Sequence, residues 1–411
     1  MRRGAVPDVV EDKRRYTFRH PAFRFIGGNL VSFFGDQIYL IALPLIVLSI
    51  TGSPLSMGIV AALERLPVLL QPLAGVWTDR FNRKFLLLGS DLSRFSAIGL
   101  LGILYITGQL EIWHLYAAAL FVGVCTQLYQ TSQFAILPEL VKEEELPAMN
   151  AVNSGTFQAA VFLSPGLGGI LLSIWNPGVG LILNSFSFLI GALVVWSLPI
   201  QPPAWSGKNK GGMISGLKEG FRYVWSVKAI LHTNLAMLFS VFGTTMFLTM
   251  YIVHLNSTIN MATVPIGFLL SVGGITAVAG SFASSWLSKR MTYRTLLFCT
   301  GVLGGASIAG FAAGGSFWWL AVMNAVGTGT ASISSPCILT IRQQGSPAHL
   351  LGRVQATSRF MTWSLMPVSA LFAGWLAEVY GTTVPILTGG LLVLSASFFY
   401  LHPALDKRRR I

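Results

Sequence analysis

Asp36 is a carboxylate in apolar company, Phe33-Phe34-Gly35-Asp36-Gln37, with no basic residue near it on that stretch. An unpaired charge among hydrocarbon is costly, so the neutral acid is expected at some stage of any working cycle. The chemistry on offer is proton exchange or cation binding. The alternative is a carboxyl satisfied by structural hydrogen bonds. Glu64 is a second such carboxylate, although the adjacent Arg65 can neutralise it. Asp91 and Arg94, at i,i+3 spacing, share one face of a helix and read as a local ion pair. Arg359 is expected to partner Asp79 or Asp91 rather than a ligand. Glu378 stands near the end of its apolar stretch, where water can reach it. The histidines show no metal spacing, no carboxylate pair accompanies a nucleophile, and no Walker loop is present. No metal, no cofactor and no enzymatic reaction are therefore expected.

These charges lie within twelve apolar stretches: 23–50, 55–78, 85–107, 113–137, 148–174, 178–199, 229–254, 263–288, 293–313, 317–341, 354–379 and 383–402. Each is long enough to cross a hydrocarbon layer about 30 Å thick. The odd-numbered connections (51–54, 108–112, 175–177, 255–262, 314–316 and 380–382) carry no Lys or Arg. The even-numbered connections and both ends hold the basic residues, among them Arg80, Lys142, Lys208, Lys289, Arg342 and Arg353. Both termini and all even connections are therefore expected on the cytoplasmic side. With 53% hydrophobic and 10% charged residues, the chain is no soluble globule. The net charge of +13 is spread over loop ends, which fits topology and contact with anionic lipid and argues against nucleic-acid binding. Cys125, Cys299 and Cys337 all fall inside spans and read as small buried residues. No cleavable signal peptide is visible, since the first 22 residues are polar and basic.

The organisation expected is a cytoplasmic arm over 1–22, a six-helix bundle over 23–200, a linker over 201–228, a second bundle over 229–402, and a basic tail over 403–411. Within the linker, Ile214, Leu217, Phe221, Val224 and Trp225 recur at helical spacing opposite Lys218, Glu219 and Arg222. They predict an amphipathic helix on the inner membrane face. A shift of 205 residues superposes Gly75 on Gly280, Lys84 on Lys289 and Ile341 on Ile136. Equivalent loops align under that one shift, as in six-plus-six transporters whose site lies between the halves.

The loop from Gly75 to Lys84, G-V-W-T-D-R-F-N-R-K, resembles the signature loop of the major facilitator superfamily, G-x-L-A-D-R-x-G-R-K. Gly75, Asp79, Arg80, Arg83 and Lys84 match; Trp77 and Asn82 depart. The resemblance implies a latch between the two halves on the cytoplasmic side, with Asp79 as an anion at a helix N-terminus. Ser164-Pro165-Gly166-Leu167-Gly168-Gly169 resembles the G-P-x-x-G-G motif of proton-coupled exporters; Pro165, Gly168 and Gly169 match and Ser164 replaces Gly. Such residues bend a helix and let a neighbour approach closely. Further stretches, Leu137 to Val141, Leu217 to Phe221, Leu351 to Val354 and His20 to Arg24, are similar to the branch holding bacterial macrolide-efflux proteins and the enterobactin exporter. One departure matters: the fourth span has Gln127, Tyr129 and Gln130 where many proton antiporters carry an Arg.

The resemblance implies an all-α membrane protein of two pseudo-symmetric six-helix bundles. It would act as a monomeric secondary exporter of an amphiphilic antibiotic-like or siderophore-like molecule in a bacterial cytoplasmic membrane. Its partners would be that small molecule, protons and membrane lipids. A facilitator or flippase for lipid-like substrates is the alternative; an intramembrane enzyme or a receptor has no supporting residues. Phe33, Tyr39, Gln127, Gln130, Phe242, Met246 and Asn324 are the expected lining of the substrate cavity.

Overall fold

The computed structural model describes residues 20–71, 81–141, 145–199, 213–347 and 350–406. Among them no strand occurs and almost every residue is helical. The first half is built from α1 (Pro21–Thr51), α2 (Pro54–Arg65, continued as a 3-10 turn over Leu66–Leu70), α3 (Arg83–Ile106), α4 (Ile112–Leu140), α5 (Leu146–Ile174) and α6 (Pro177–Trp196). A short helix, α7 (Met213–Ser226), precedes the second half. That half comprises α8 (Lys228–Val253, ending in a π-turn over His254–Thr258), α9 (Thr263–Arg290), α10 (Tyr293–Phe311), α11 (Phe317–Gln344), α12 (Leu351–Trp363), α13 (Met366–Tyr380) and α14 (Thr383–Ser397). With α12 and α13 forming one broken span, the described helices fall where the twelve stretches are expected. Ten of the candidate spans are long and apolar enough to cross a membrane by length and composition.

Helix starts follow local chemistry. Pro21, Pro54 and Pro177 each occupy the first helical turn, where a missing N–H costs nothing. Ser53, Asn82, Asn176, Thr292 and Ser316 cap the exposed N–H groups that follow them. Helix ends on the side away from the termini use glycine: Gly52, Gly108 and Gly381 have φ of 62°, 72° and 81°. That left-handed backbone lets the chain reverse in a few residues.

The pairing of helices repeats between the halves. In the first, α6 packs on α1 and α3, α3 on α4, and α4 on α2. In the second, α14 packs on α8 and α10, α10 on α11, and α11 on α9. These are the same partners under the half-chain shift. Between the halves the main packings are α2 on α13 and α5 on α9. The outer faces carry large exposed apolar side chains, including Trp113, Trp196, Phe282 and Trp318, as a lipid-facing surface requires.

Three details differ from expectation. Cys125 and Cys337 are buried, but Cys299 is exposed on the surface of α10. The span expected over 354–379 is broken at Ser364 and Leu365, because Pro367 has no N–H to continue the ladder. The helix α7 is docked on protein as well as facing outward. Val224 is fully buried, Gly220 lies against Arg353 and Thr357, and Glu219 pairs with Arg353.

Candidate functional site

The charges well inside the spans of the first half are Asp36 on α1, Glu64 and Arg65 on α2, and Asp91 and Arg94 on α3. Asp91 and Arg94 form the expected pair at 2.5 Å, both buried. The Arg94 guanidinium also lies 4.4 Å from the Tyr129 ring centroid and 4.2 Å from that of Phe188. Its charge is thus met by one carboxylate and two aromatic faces. Tyr129 in turn donates to Asn29 Oδ1 at 2.6 Å, which ties α4 to α1. Gly191 of α6 lies against Asp91 Oδ2, where an added Cβ would stand 3.1 Å from that oxygen.

Asp36 on α1 is partly exposed and has no hydrogen-bond or ion-pair partner among the described residues. The charges of Arg94, Asp91 and Glu64 all reach it. Glu64 likewise has no hydrogen-bonding partner among the described residues. Its neighbour Arg65 donates instead to the Ala61 carbonyl at 3.1 Å, although the two charges sense each other. Gly123 of α4 closes on the Glu64 carbonyl and holds α2 against α4 at this depth. The two free carboxylates, the enclosed Arg94 and Tyr39 make up one electrostatic cluster.

The expected cavity lining divides. Gln127 is partly exposed and Gln130 exposed on α4, while Phe33 is half-buried with its ring 4.6 Å from that of Phe157. Two residues are corrected. Tyr39 is buried in the core. Met246 is 0% exposed and packs where Gly389 of α14 approaches α8. Phe242 is half-buried against the same core, and its carbonyl accepts from Ser369 at 2.5 Å. An evenly apolar helix shows no stripe from which its buried face could be read. Asn324 lines a cavity of about 460 Å³ inside the second half, and its Nδ2 donates to the Leu269 carbonyl at 2.6 Å. The other walls of that cavity come from α8, α10, α11, α14 and the break between α12 and α13.

Of the signature loop, Gly75, Asp79 and Arg80 lie outside the described residues. Arg83 and Lys84 begin α3, capped by Asn82, and Lys84 Nζ donates to the Leu198 carbonyl at 2.7 Å. Arg359 does not meet Asp91, which Arg94 already occupies. Its guanidinium lies 4.7 Å from the Trp363 ring centroid instead.

Pro165, Gly168 and Gly169 stand where α5 meets its neighbours. The Pro165 carbonyl and Gly169 both press on Gly267 of α9, and Gly166 N–H donates to Ser271 Oγ at 2.9 Å. Gly168 lies over Ile38 of α1. The companion contact is between α2 and α13, where a Cβ on Gly58 would stand 2.7 Å from Gly374 Cα. Glu378 closes this seam: its carboxylate accepts from Ser53 Oγ at 2.8 Å and from Leu55 N–H at 3.2 Å. Sequence reasoning missed that role, since the partners are 325 positions apart. The clue available was an acid opposite a capped helix start, where the positive end of the dipole attracts it. The bonds of Glu378 to Ser53 and Leu55 and of Gly166 to Ser271 cross between the halves from mid-span to the side away from the termini.

Known proteins share this design. The family model described as Major Facilitator Superfamily matches residues 25–370. The multidrug efflux pump Tap of Mycolicibacterium fortuitum is 23% identical, covering 92% of this chain and 94% of that protein. Macrolide efflux protein A of Streptococcus pyogenes is 21% identical over 93% of this chain and 95% of its own. The crystal structure of a bacterial homologue of the iron transporter ferroportin, in an inward-facing state, superposes with a TM-score of 0.75. It is 17% identical and covers 94% of this chain and 98% of that one.

Proposed function

This chain belongs to the Major Facilitator Superfamily, and on that premise we propose that it exports amphiphilic small molecules by alternating access, driven by proton entry. It is a multi-pass membrane transporter; export direction, substrate type and coupling are the proposal. The observation that carries it is a pair of unpartnered carboxylates, Asp36 and Glu64, in one half of a molecule whose halves are sealed on one side. The seal is Gly58 on Gly374 and Gly169 on Gly267. The basic connections support placing the termini in the cytoplasm, so this is read as the inward-open state. The relatives named as efflux proteins support outward transport.

The cycle then follows from solvation. In the outward-open state water reaches the carboxylates and a proton binds, because the neutral acid tolerates closure. Closing the outer seam carries that proton inward. In the inward-open state it leaves to the cytoplasm, and substrate enters between the halves. Residues 23–200 and 229–402 are the two rocking units, and the 75–84 loop latches the cytoplasmic side when it closes. Each chain carries both units, so one monomer is the transport unit.

The test is export from proteoliposomes with and without an imposed pH gradient. Asp36→Asn keeps the side-chain size and cannot release a proton. It is expected to abolish gradient-driven export while substrate–substrate counterflow survives. Glu64→Gln is expected to show the same phenotype if Glu64 carries the proton. Full gradient-driven export in both variants and in the double variant removes proton coupling from these residues. Wild-type transport indifferent to the gradient supports a facilitator for lipid-like substrates instead.

A further inference from the structure

From residue 213 onward the described residues hold three acids: Glu219, Glu378 and Asp406. Each is engaged: Glu219 with Arg353, Asp406 with Arg294 at 3.6 Å, and Glu378 at the far seam. Among the described residues, neither Arg342 nor Arg359 pairs with a carboxylate. Arg342 is 7% exposed, in the last turn of α11. Its Nη2 donates to Asn234 Oδ1 at 2.7 Å, and Asn234 Nδ2 donates to Ser358 Oγ at 2.9 Å. Its buried Nε has no hydrogen-bond partner. The like charge of Arg359 acts on it as well. A buried cation without a counter-charge is costly.

Neither cation lines the 460 Å³ cavity, but each touches a residue that does. Arg359 stacks on Trp363, which lines it. Arg342 touches the sulfur of Met237, another lining residue, at 3.4 Å. A thioether is flexible and readily displaced. No charged side chain lines the cavity itself; its walls are hydroxyl, methionine and aromatic groups, among them Thr244, Ser334 and Tyr400. The volume falls within the range of small-molecule sites. An apolar chamber with a guanidinium group against each of two wall residues, Met237 and Trp363, suits a ligand with an apolar body and an anionic head. Arg forks bind carboxylate and phosphate best.

We propose that this cavity in the second half binds an anionic amphiphile, its carboxylate or phosphate on Arg359 and Arg342 and its apolar body against Met237 and Trp363. The inference rests on the exporter reading and adds the sign of the substrate's charge. The shared chemistry admits two sources, an exported solute or a lipid of the surrounding membrane.

The test is calorimetric binding to the purified full chain in a neutral maltoside detergent. Three probes have equal tails: dodecyl phosphate, dodecanol and dodecyltrimethylammonium. Dodecyl phosphate is expected to bind about tenfold tighter than the other two, the factor of one charge-assisted contact. Arg359→Gln, at an exposed position, is expected to remove that preference without loss of folding. Arg342→Gln is expected to do the same where it folds. Ser335→Trp, which fills the cavity, is expected to remove binding of all three. Equal affinity for the three probes overturns the proposal, as does a preference untouched by Arg359→Gln. Competition by phosphatidylglycerol but not phosphatidylcholine nanodiscs, lost in Arg359→Gln, identifies the ligand as lipid. Flux of dodecyl phosphate in proteoliposomes without such competition identifies it as the cargo. Charge-selective binding with no flux of any amphiphile sinks the exporter reading and keeps the site. Flux of cationic or neutral amphiphiles without anion preference keeps the exporter and sinks the site.

Discussion

Arg94 illustrates how a buried charge is accommodated here and what happens when its partner goes. Asp91 neutralises it, while Tyr129 and Phe188 present ring faces to either side. Removing Asp91 leaves a cation enclosed by aromatic groups with no anion, a loss of about 3–5 kcal/mol. Asp91→Ala is therefore expected to lower the thermal unfolding midpoint in detergent sharply. The double variant Asp91→Ala/Arg94→Met is expected to recover much of that loss, since the uncompensated charge leaves with the arginine. A double variant no more stable than the single one would show that the rings, not the ion pair, hold this region. This pair was legible in the sequence because its two members are three positions apart on one helix. So was the isolation of Asp36 on its own span, since no basic residue lies near its depth there. Glu378 and Arg342 were not legible as partners of Ser53 and Asn234, because those contacts depend on which helices meet. Met246 was misassigned for a related reason: methionine serves cavities and cores alike, and only packing separates them.

Two helices that seal the halves together are broken near their middle. In the span begun by α2, the helix passes into a 3-10 turn at Leu66 with Pro67 in its first turn. In the span formed by α12 and α13, the break at Ser364 and Leu365 precedes Pro367. The parts away from the termini pack through Gly58 and Gly374. A break of this kind lets the two parts of a span differ in direction. Proline supplies such a bend by removing one ladder bond and displacing the preceding turn. Pro367→Ala is expected to restore a straighter span and to slow exchange between inward- and outward-open states. Distance distributions between spin labels on the two halves should then narrow to one population. Unchanged distributions and unchanged transport rates would take the hinge role from Pro367. Gly374→Val is expected to act oppositely, because its Cβ would stand 2.8 Å from Gly58 Cα and the outer seam could not close. Accessibility of the far side to thiol reagents should rise in that variant. Apolar length located the spans well, yet hydropathy has no sensitivity to a lost hydrogen bond, so a continuous 354–379 was expected.

At the scale of the whole molecule, the sequence pattern carried most of the architecture because a bilayer imposes so few solutions. Apolar runs must be helices to satisfy their own backbone groups, and their number and the half-chain repeat then determine two bundles. Relative orientation of the bundles was not legible, since glycine contacts such as Gly169 on Gly267 depend on the conformational state. The direction of export depends on the direction of the fold in the membrane. The connections on the seam side carry no Lys or Arg, and basic residues resist translocation. In a variant with its three cysteines replaced, Gln109→Cys lies on the seam side and is exposed. It is expected to react with an impermeant maleimide on intact cells. Lys218→Cys in α7 and Lys289→Cys at the end of α9, both exposed, are expected to react only after the membrane is permeabilised. The reverse labelling would turn the molecule over. The state read here as inward-open would then face outward, and proton entry with substrate leaving would require the opposite sequence of openings. Labelling all three positions from outside would be incompatible with one fixed topology and would remove the basis for assigning either direction.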